Sequence, residues 1–236
     1  MILKKQIRQH ISIAVLGSII TVVNLPLQAS ESLSEKYQRT ENAFEKKQIL
    51  LEIGAQQKNT TTKQARSSLR SAAASVADPV VSTQDIATIK TALNDKNATI
   101  VSEAVNCTGA LKISGLDESL IDMYRNADLT YDGYAERVKI SIIRAMGLNR
   151  STTSDQFIIS LLEESNGDHI ATAILQTIRQ TADPLFISYL KQFRSKFEQK
   201  IHDYKINNVN PIIYSEIESN VNLALEIETS ISEGRK

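Results

Sequence analysis

The chain contains no tryptophan, one cysteine, four prolines and eight glycines in 236 residues. A single cysteine, Cys107, excludes an intrachain disulfide framework and any zinc site built on cysteines. So few glycines and prolines suit long helices and argue against an all-β fold with many turns. Aromatic residues make up only 5%, and 27 basic residues balance 27 acidic ones. Zero formal charge removes any global electrostatic argument for nucleic acid, and there is no basic run to meet phosphates. No His-Glu-x-x-His, glycine-rich phosphate loop or Gly-x-Ser-x-Gly occurs either. No cofactor, metal or catalytic constellation is therefore expected.

What is present begins with an unusual first segment. Lys4, Lys5 and Arg8 precede a run from Ile11 to Leu27 that carries no charge, and Ala29 follows Pro26 as a small residue before Ser30. Positive start, apolar middle and small-residue end are the layout of a secretory signal peptide, residues 1–29. The rival reading is an uncleaved membrane anchor, since 17 residues nearly span a bilayer. Asn24, Pro26 and Ala29 favour cleavage after Ala29, which predicts a periplasmic or secreted protein comprising residues 30–236 with no stable membrane insertion.

The rest reads as helices. Ser32 to Ile53 forms a first helix with Phe44, Ile49, Leu50, Leu51 and Ile53 apolar and Gly54 as a stop. A polar loop, 56–62, leads to a second helix over 63–76, closed by Asp78-Pro79. Beyond it, Ile86, Ile89 and Leu93 share one face, and Ile100, Ala104, Cys107 and Leu111 another. Helices are expected over 118–127, 134–148, 154–164 and 168–181. Asp183-Pro184 and Asn210-Pro211 are start signals, an N-cap followed by proline at the first helical position. Phe186, Leu190, Phe193, Phe197 and Ile201 face inward on the first of these helices, and Ile213, Ile217, Val221, Ala224 and Ile231 on the second.

Alternate helices repeat. Ile100, Ala104, Thr108 and Gly109 match Val138, Ile142, Met146 and Gly147, each 38 residues on, and Ile170, Ile174 and Ile178 follow 32 later. Weaker copies begin at Ala65 and Ile213. Helix pairs repeating at this period are each too small to bury an apolar face alone and must stack. The fold class predicted is all-α, an α-solenoid of about five helix pairs.

Asp95-Lys-Asn97-Ala-Thr-Ile100-Val-Ser-Glu-Ala104-Val105, then Thr108-Gly109, resembles the second helix of the HEAT-repeat family. Val138-Lys139, Ile142, Met146 and Gly147 fit that pattern in part. The family's basic position after the valine is Arg66, Val101, Lys139, Ala171 and Tyr214 here, basic in two copies of five. The resemblance implies a stacked scaffold whose second helices line the concave side.

In that register the second, third and sixth positions after the valine are expected to point away from the core. They read Ser67, Ser68 and Ser71, then Ser102, Glu103 and Asn106, then Ile140, Ser141 and Arg144. Thr172, Ala173 and Gln176 follow, then Ser215, Glu216 and Ser219. Exposed helix faces are commonly rich in charge, and this stripe is mostly small and neutral. Small side chains let another chain approach closely, and hydroxyls and amides hydrogen-bond it without burying charge. Ser67, Ser71, Ser102, Glu103, Asn106, Ser141, Arg144, Thr172 and Gln176 are thus candidates for contacting a neutral protein or peptide.

Other groups read as structural. His169 beside Asp168 suits a surface histidine better than a metal ligand or an acid–base group. Glu163-Glu164 sits before a Ser-Asn-Gly turn as a solvated helix end, and Cys107 on an apolar stripe is a packed thiol. Glycosylation sequons at Asn59, Asn97, Asn106 and Asn149 carry little weight in a chain rich in Asn and Thr. The function expected is an exported scaffold binding a protein or peptide in the cell envelope. A helical enzyme acting on an envelope polymer and a structural spacer in an envelope assembly are the alternatives.

Overall fold

The computed structural model describes residues 31–68 and 82–234. The expected leader, Ser71 and the Asp78-Pro79 helix stop lie outside them. Among the described residues there are ten α-helices and no strand. They are α1 (Leu33–Arg39), α2 (Ala43–Ser68), α3 (Thr83–Ala92), α4 (Ala98–Ala110) and α5 (Asp117–Thr130). Then come α6 (Ala135–Asn149), α7 (Thr152–Glu164), α8 (His169–Thr181), α9 (Ile187–Ile206) and α10 (Pro211–Ser232). A short 3-10 turn, Pro184–Phe186, leads into α9.

The starts of these helices are local chemistry. Four of the five even-numbered helices are entered through an Asn or Asp whose side chain accepts from the amide two residues on. Asn42 accepts from Phe44 at 2.9 Å, Asn97 from Thr99 at 2.9 Å, Asp168 from Ile170 at 3.1 Å and Asn210 from Ile212 at 3.1 Å. Each satisfies a backbone donor that has no partner within its helix. Ser82 and Ser151 do the same for α3 and α7, through the amides of Asp85 and Ser154.

The helices pack in chain order. Each odd-numbered helix packs on the even-numbered helix that follows it. The even-numbered helices also touch in succession: α2 on α4, α4 on α6, α6 on α8, and α8 on α10. On the other side α1 meets α3, α5 meets α7, and α7 meets α9. One continuous core runs through these contacts, from Tyr37 to Ile231. Ile89, Val101, Ala104, Leu120, Val138, Ile142, Ile174 and Leu190 are wholly buried in it. Burying one such aliphatic side chain stabilises by about 1.5–3 kcal/mol.

Several expectations are corrected. The single helix foreseen over 32–53 is broken at Thr40–Asn42, where the Asn42 amide donates to the Thr40 hydroxyl and the Asn42 side chain caps α2. Such local side-chain bonds compete with helix continuation. Gly54 is no stop. It lies within α2, which continues to Ser68 through the segment read as a loop. α2 meets α4 at Leu50 and Gly54, both beside Cys107, and most of the copy assigned to Ala65 lies outside the described residues. Phe44 and Ile213 are exposed, at 67% and 63%, while Tyr214 takes the buried place beside Ile213. All five inward positions expected on the Phe186–Ile201 stretch are buried.

Gly109 and Gly147 lie within α4 and α6, close to their ends. A Cβ on Gly109 would stand 2.6 Å from the Cα of Ala145, and one on Gly147 would stand 2.1 Å from the Thr177 methyl. Each glycine is where the next even-numbered helix crosses at closest approach. The helix ends themselves adopt the left-handed conformation on ordinary residues, at Lys112, Arg150 and Ala182.

Candidate functional site

Two open clefts meet on the row of even-numbered helices. One, about 390 Å³, is lined by Leu50, Leu51, Gly54 and Ala55 of α2, by Glu103, Asn106, Cys107 and Ala110 of α4, by Arg144, Ala145 and Leu148 of α6, and by Gln180 of α8. The second, about 510 Å³, runs between α4 and α6 over Ser102, Asn106, Tyr134, Glu136, Arg137, Ile140, Ser141 and Arg144. Asn106 and Arg144 belong to both.

Helical periodicity builds these walls. Arg137, Ser141, Arg144 and Leu148 follow one another at three- and four-residue spacing on α6, with Ile140 beside Ser141, as Ser102, Asn106 and Ala110 do on α4. The close crossing of Gly109 on Ala145 brings both stripes together. Exposed Leu51 and Leu148, at 40% and 43%, give the first cleft an apolar margin.

The arginines here lack the ion pairs that the other described arginines of α5 to α9 make. Arg125 pairs with Asp122 at 3.8 Å, Arg179 with Glu226 at 2.7 Å, and Arg194 with Glu198 at 3.0 Å and Glu228 at 2.7 Å. Arg150 pairs with Asp155 and Asp183. Arg137 and Arg144 make no ion pair and no side-chain hydrogen bond among the described residues. Burial raises the Glu103 carboxyl above its ordinary value, against the opposing pull of Lys47 and Arg137. Ser102 on the cleft wall is 2% exposed, and its hydroxyl has no hydrogen-bond partner. Buried hydroxyls are usually partnered, because leaving one unmade costs about 1–3 kcal/mol.

Cys107 is 3% exposed and donates to the Leu50 carbonyl at 3.2 Å. Burial, and secondarily Glu103, pushes its thiol up to about 12, where it is an inert neutral group at physiological pH. His169 is on the surface beside Glu216. Among the described residues no cluster of three or more metal-ligating side chains occurs.

Of the stripe residues, the clefts bring together Ser102, Glu103, Asn106, Ser141 and Arg144. The expectation that the second and third positions point outward fails at Ser102, Ser141 and Ala173, which are 2%, 6% and 4% exposed, and holds at Ser215. α4, α6 and α8 are each flanked by two others of the row, so only a narrow strip stays free, whereas α10 has one such neighbour. The sixth position is the one exposed in every described copy, at Asn106, Arg144, Gln176 and Ser219. Thr172 is half-buried and donates to Asn220 at 2.9 Å. Gln176 is exposed but lies outside both clefts. Ser67 falls at the end of α2.

Arg137, Lys47 and Leu148 are absent from the sequence-based candidates. Local sequence does not single out the arginines: neither has an acidic residue three or four positions away on its helix, but Arg150 and Arg179 lack one too and pair with distant acids.

Comparison of the chain with protein-family models, curated proteins and solved structures finds no match. Among the described residues no helix is long and apolar enough to cross a membrane.

Proposed function

We propose that this protein is an exported HEAT-like α-solenoid of five helix pairs that binds a polypeptide on its row of second helices. The supporting observation is the pair of clefts meeting at Asn106 and Arg144, which gather the least satisfied polar groups of the α4–α6 surface. Succession of contacts along the row supports the stacked reading. Export rests on the layout of residues 1–29, with release into the periplasm or medium after cleavage at Ala29.

Asn106 is exposed where both clefts meet, so Asn106→Trp fills the surface without entering the core. An envelope extract passed over immobilised wild type and variant, matched for melting temperature, is expected to yield a partner only on the wild type. Equal recovery on both would remove the clefts as the binding surface. N-terminal sequencing of exported protein is expected to begin at Ser30, and a chain beginning at Met1 would mean an anchor.

A further inference from the structure

We infer that the α4–α6 cleft takes an acidic peptide segment, with two carboxylates about 10 Å apart held by Arg137 and Arg144. This rests on the reading of the clefts as a polypeptide surface and replaces a neutral occupant by a charged one. Three independent features carry it. Both arginines lack the ion pairs that Arg125, Arg150, Arg179 and Arg194 make, and both line the same cleft. Ser102 lines that cleft, and its hydroxyl, buried beneath the wall, has no hydrogen-bond partner among the described residues. Asn106, exposed and without a hydrogen bond among the described residues, adds amide donors beside Arg144.

Spacing sets the form of the ligand. Seven residues of helix at 1.5 Å each put Arg137 and Arg144 about 10 Å apart along α6. A polyproline II segment repeats every three residues at 3.1 Å each, so carboxylates at i and i+3 project to one side about 9 Å apart. The residues between them would cross Ile140 and Ser141, which stand between the arginines on the stripe. Guanidinium groups bind carboxylates through paired, charge-assisted hydrogen bonds. Glu136 and Glu103 lie beside the arginines on the same surface. Their negative charge opposes a continuous polyanion such as nucleic acid more than two carboxylates seated on the arginines, where the guanidinium charge is nearest.

The test is fluorescence anisotropy with the full chain and labelled peptides carrying two glutamates one to five residues apart in an Ala/Ser/Pro background. Strongest binding is expected at a spacing of three. Arg137→Gln and Arg144→Gln, both on the surface and checked for unchanged melting, should each weaken it roughly tenfold. The glutamine-for-glutamate peptide should not compete. Binding that ignores both arginine changes, or an oligonucleotide of equal charge that binds as tightly, overturns the inference. If Asn106→Trp abolishes partner capture while neither arginine variant alters it, the polypeptide surface stands and the acidic occupant falls. If Asn106→Trp has no effect on capture, the surface itself falls.

Discussion

Two crossings in the same row of helices are built on opposite principles. Where α4 meets α6, contact is made by backbone: Gly109 lies against Ala145 with no room for a Cβ. Where α8 meets α10, contact is made by polar side chains. Asn220, 2% exposed, donates to the Gly167 carbonyl at 3.0 Å and the Asp168 carbonyl at 3.3 Å, and accepts from Thr172 at 2.9 Å. His169 pairs with Glu216 and Arg179 with Glu226 across the same crossing. Polar groups that join α8 to α10 are used up in doing so. A crossing held by close packing leaves its polar groups over, and these are Arg137, Arg144 and the Ser102 hydroxyl. The α4–α6 region therefore keeps unsatisfied polar groups, whereas those of the α8–α10 region are spent on joining the two helices.

That contrast breaks most sharply at the glycines. Gly109→Ala forces a methyl against the Ala145 backbone and should destabilise by about 3 kcal/mol, as overpacking against a fixed backbone does. Gly54→Ala is the control within the same row. Its Cβ would meet the Cys107 sulfur at 3.6 Å, an ordinary contact, and the gain in helix propensity should stabilise by up to about 1 kcal/mol. Equal melting of the two variants would refute the close-crossing account. Next in size is Asn220→Ala, which strips the Gly167 carbonyl and the Thr172 hydroxyl of the Asn220 side chain, while the Asp168 carbonyl keeps the Thr172 amide at 3.1 Å. A loss of about 2 kcal/mol is expected by urea denaturation, because unpaired buried groups are costly. A change below about 0.5 kcal/mol, the range of ordinary surface substitutions, would mean that apolar packing holds α8 to α10 instead.

The smallest effect concerns Glu103. Its carboxyl is raised by burial above the ordinary 4.5, so the native state keeps the proton to higher pH than the unfolded chain. The native state therefore binds more protons, and stability falls as pH rises from 4.5 until the native carboxyl has ionised. Glu103→Gln should flatten this part of the profile of melting temperature against pH. Superimposable profiles for the two proteins would leave Glu103 without a role in the stability of the α4 surface.

Much of the fold was legible because its signals are local. The starts at Asn97, Asp168, Asp183 and Asn210 depend on a side chain reaching an amide two residues away, and all four are where the sequence placed them. The buried stripes of α4, α6 and α9 follow helical periodicity and were read correctly. Misreadings cluster where the deciding contact is distant. Gly54 has the look of a helix stop, yet α2 runs on through it and packs it beside Cys107 of α4, a contact the sequence around Gly54 does not signal. Ile213 and Tyr214 are equally apolar neighbours in sequence, and packing in the stack decides which is buried.

The candidate site divides in the same way. Glu103, Asn106 and Arg144 were identified from helix register alone, while Ser102 and Ser141 were placed on the surface and belong in cleft walls. Sequence by itself determined an all-helical chain, where most helices begin, and which faces are apolar, because hydrogen bonds within four residues and a 3.6-residue period govern all three. Tertiary structure alone decided which polar residues are left over. Arg179 finds Glu226 47 residues away and Arg150 finds Asp183 33 away, and among the described residues no such partner reaches Arg137 or Arg144. Whether a charge is satisfied is set by what the neighbouring helix brings to it, and helix periodicity carries no information about that neighbour.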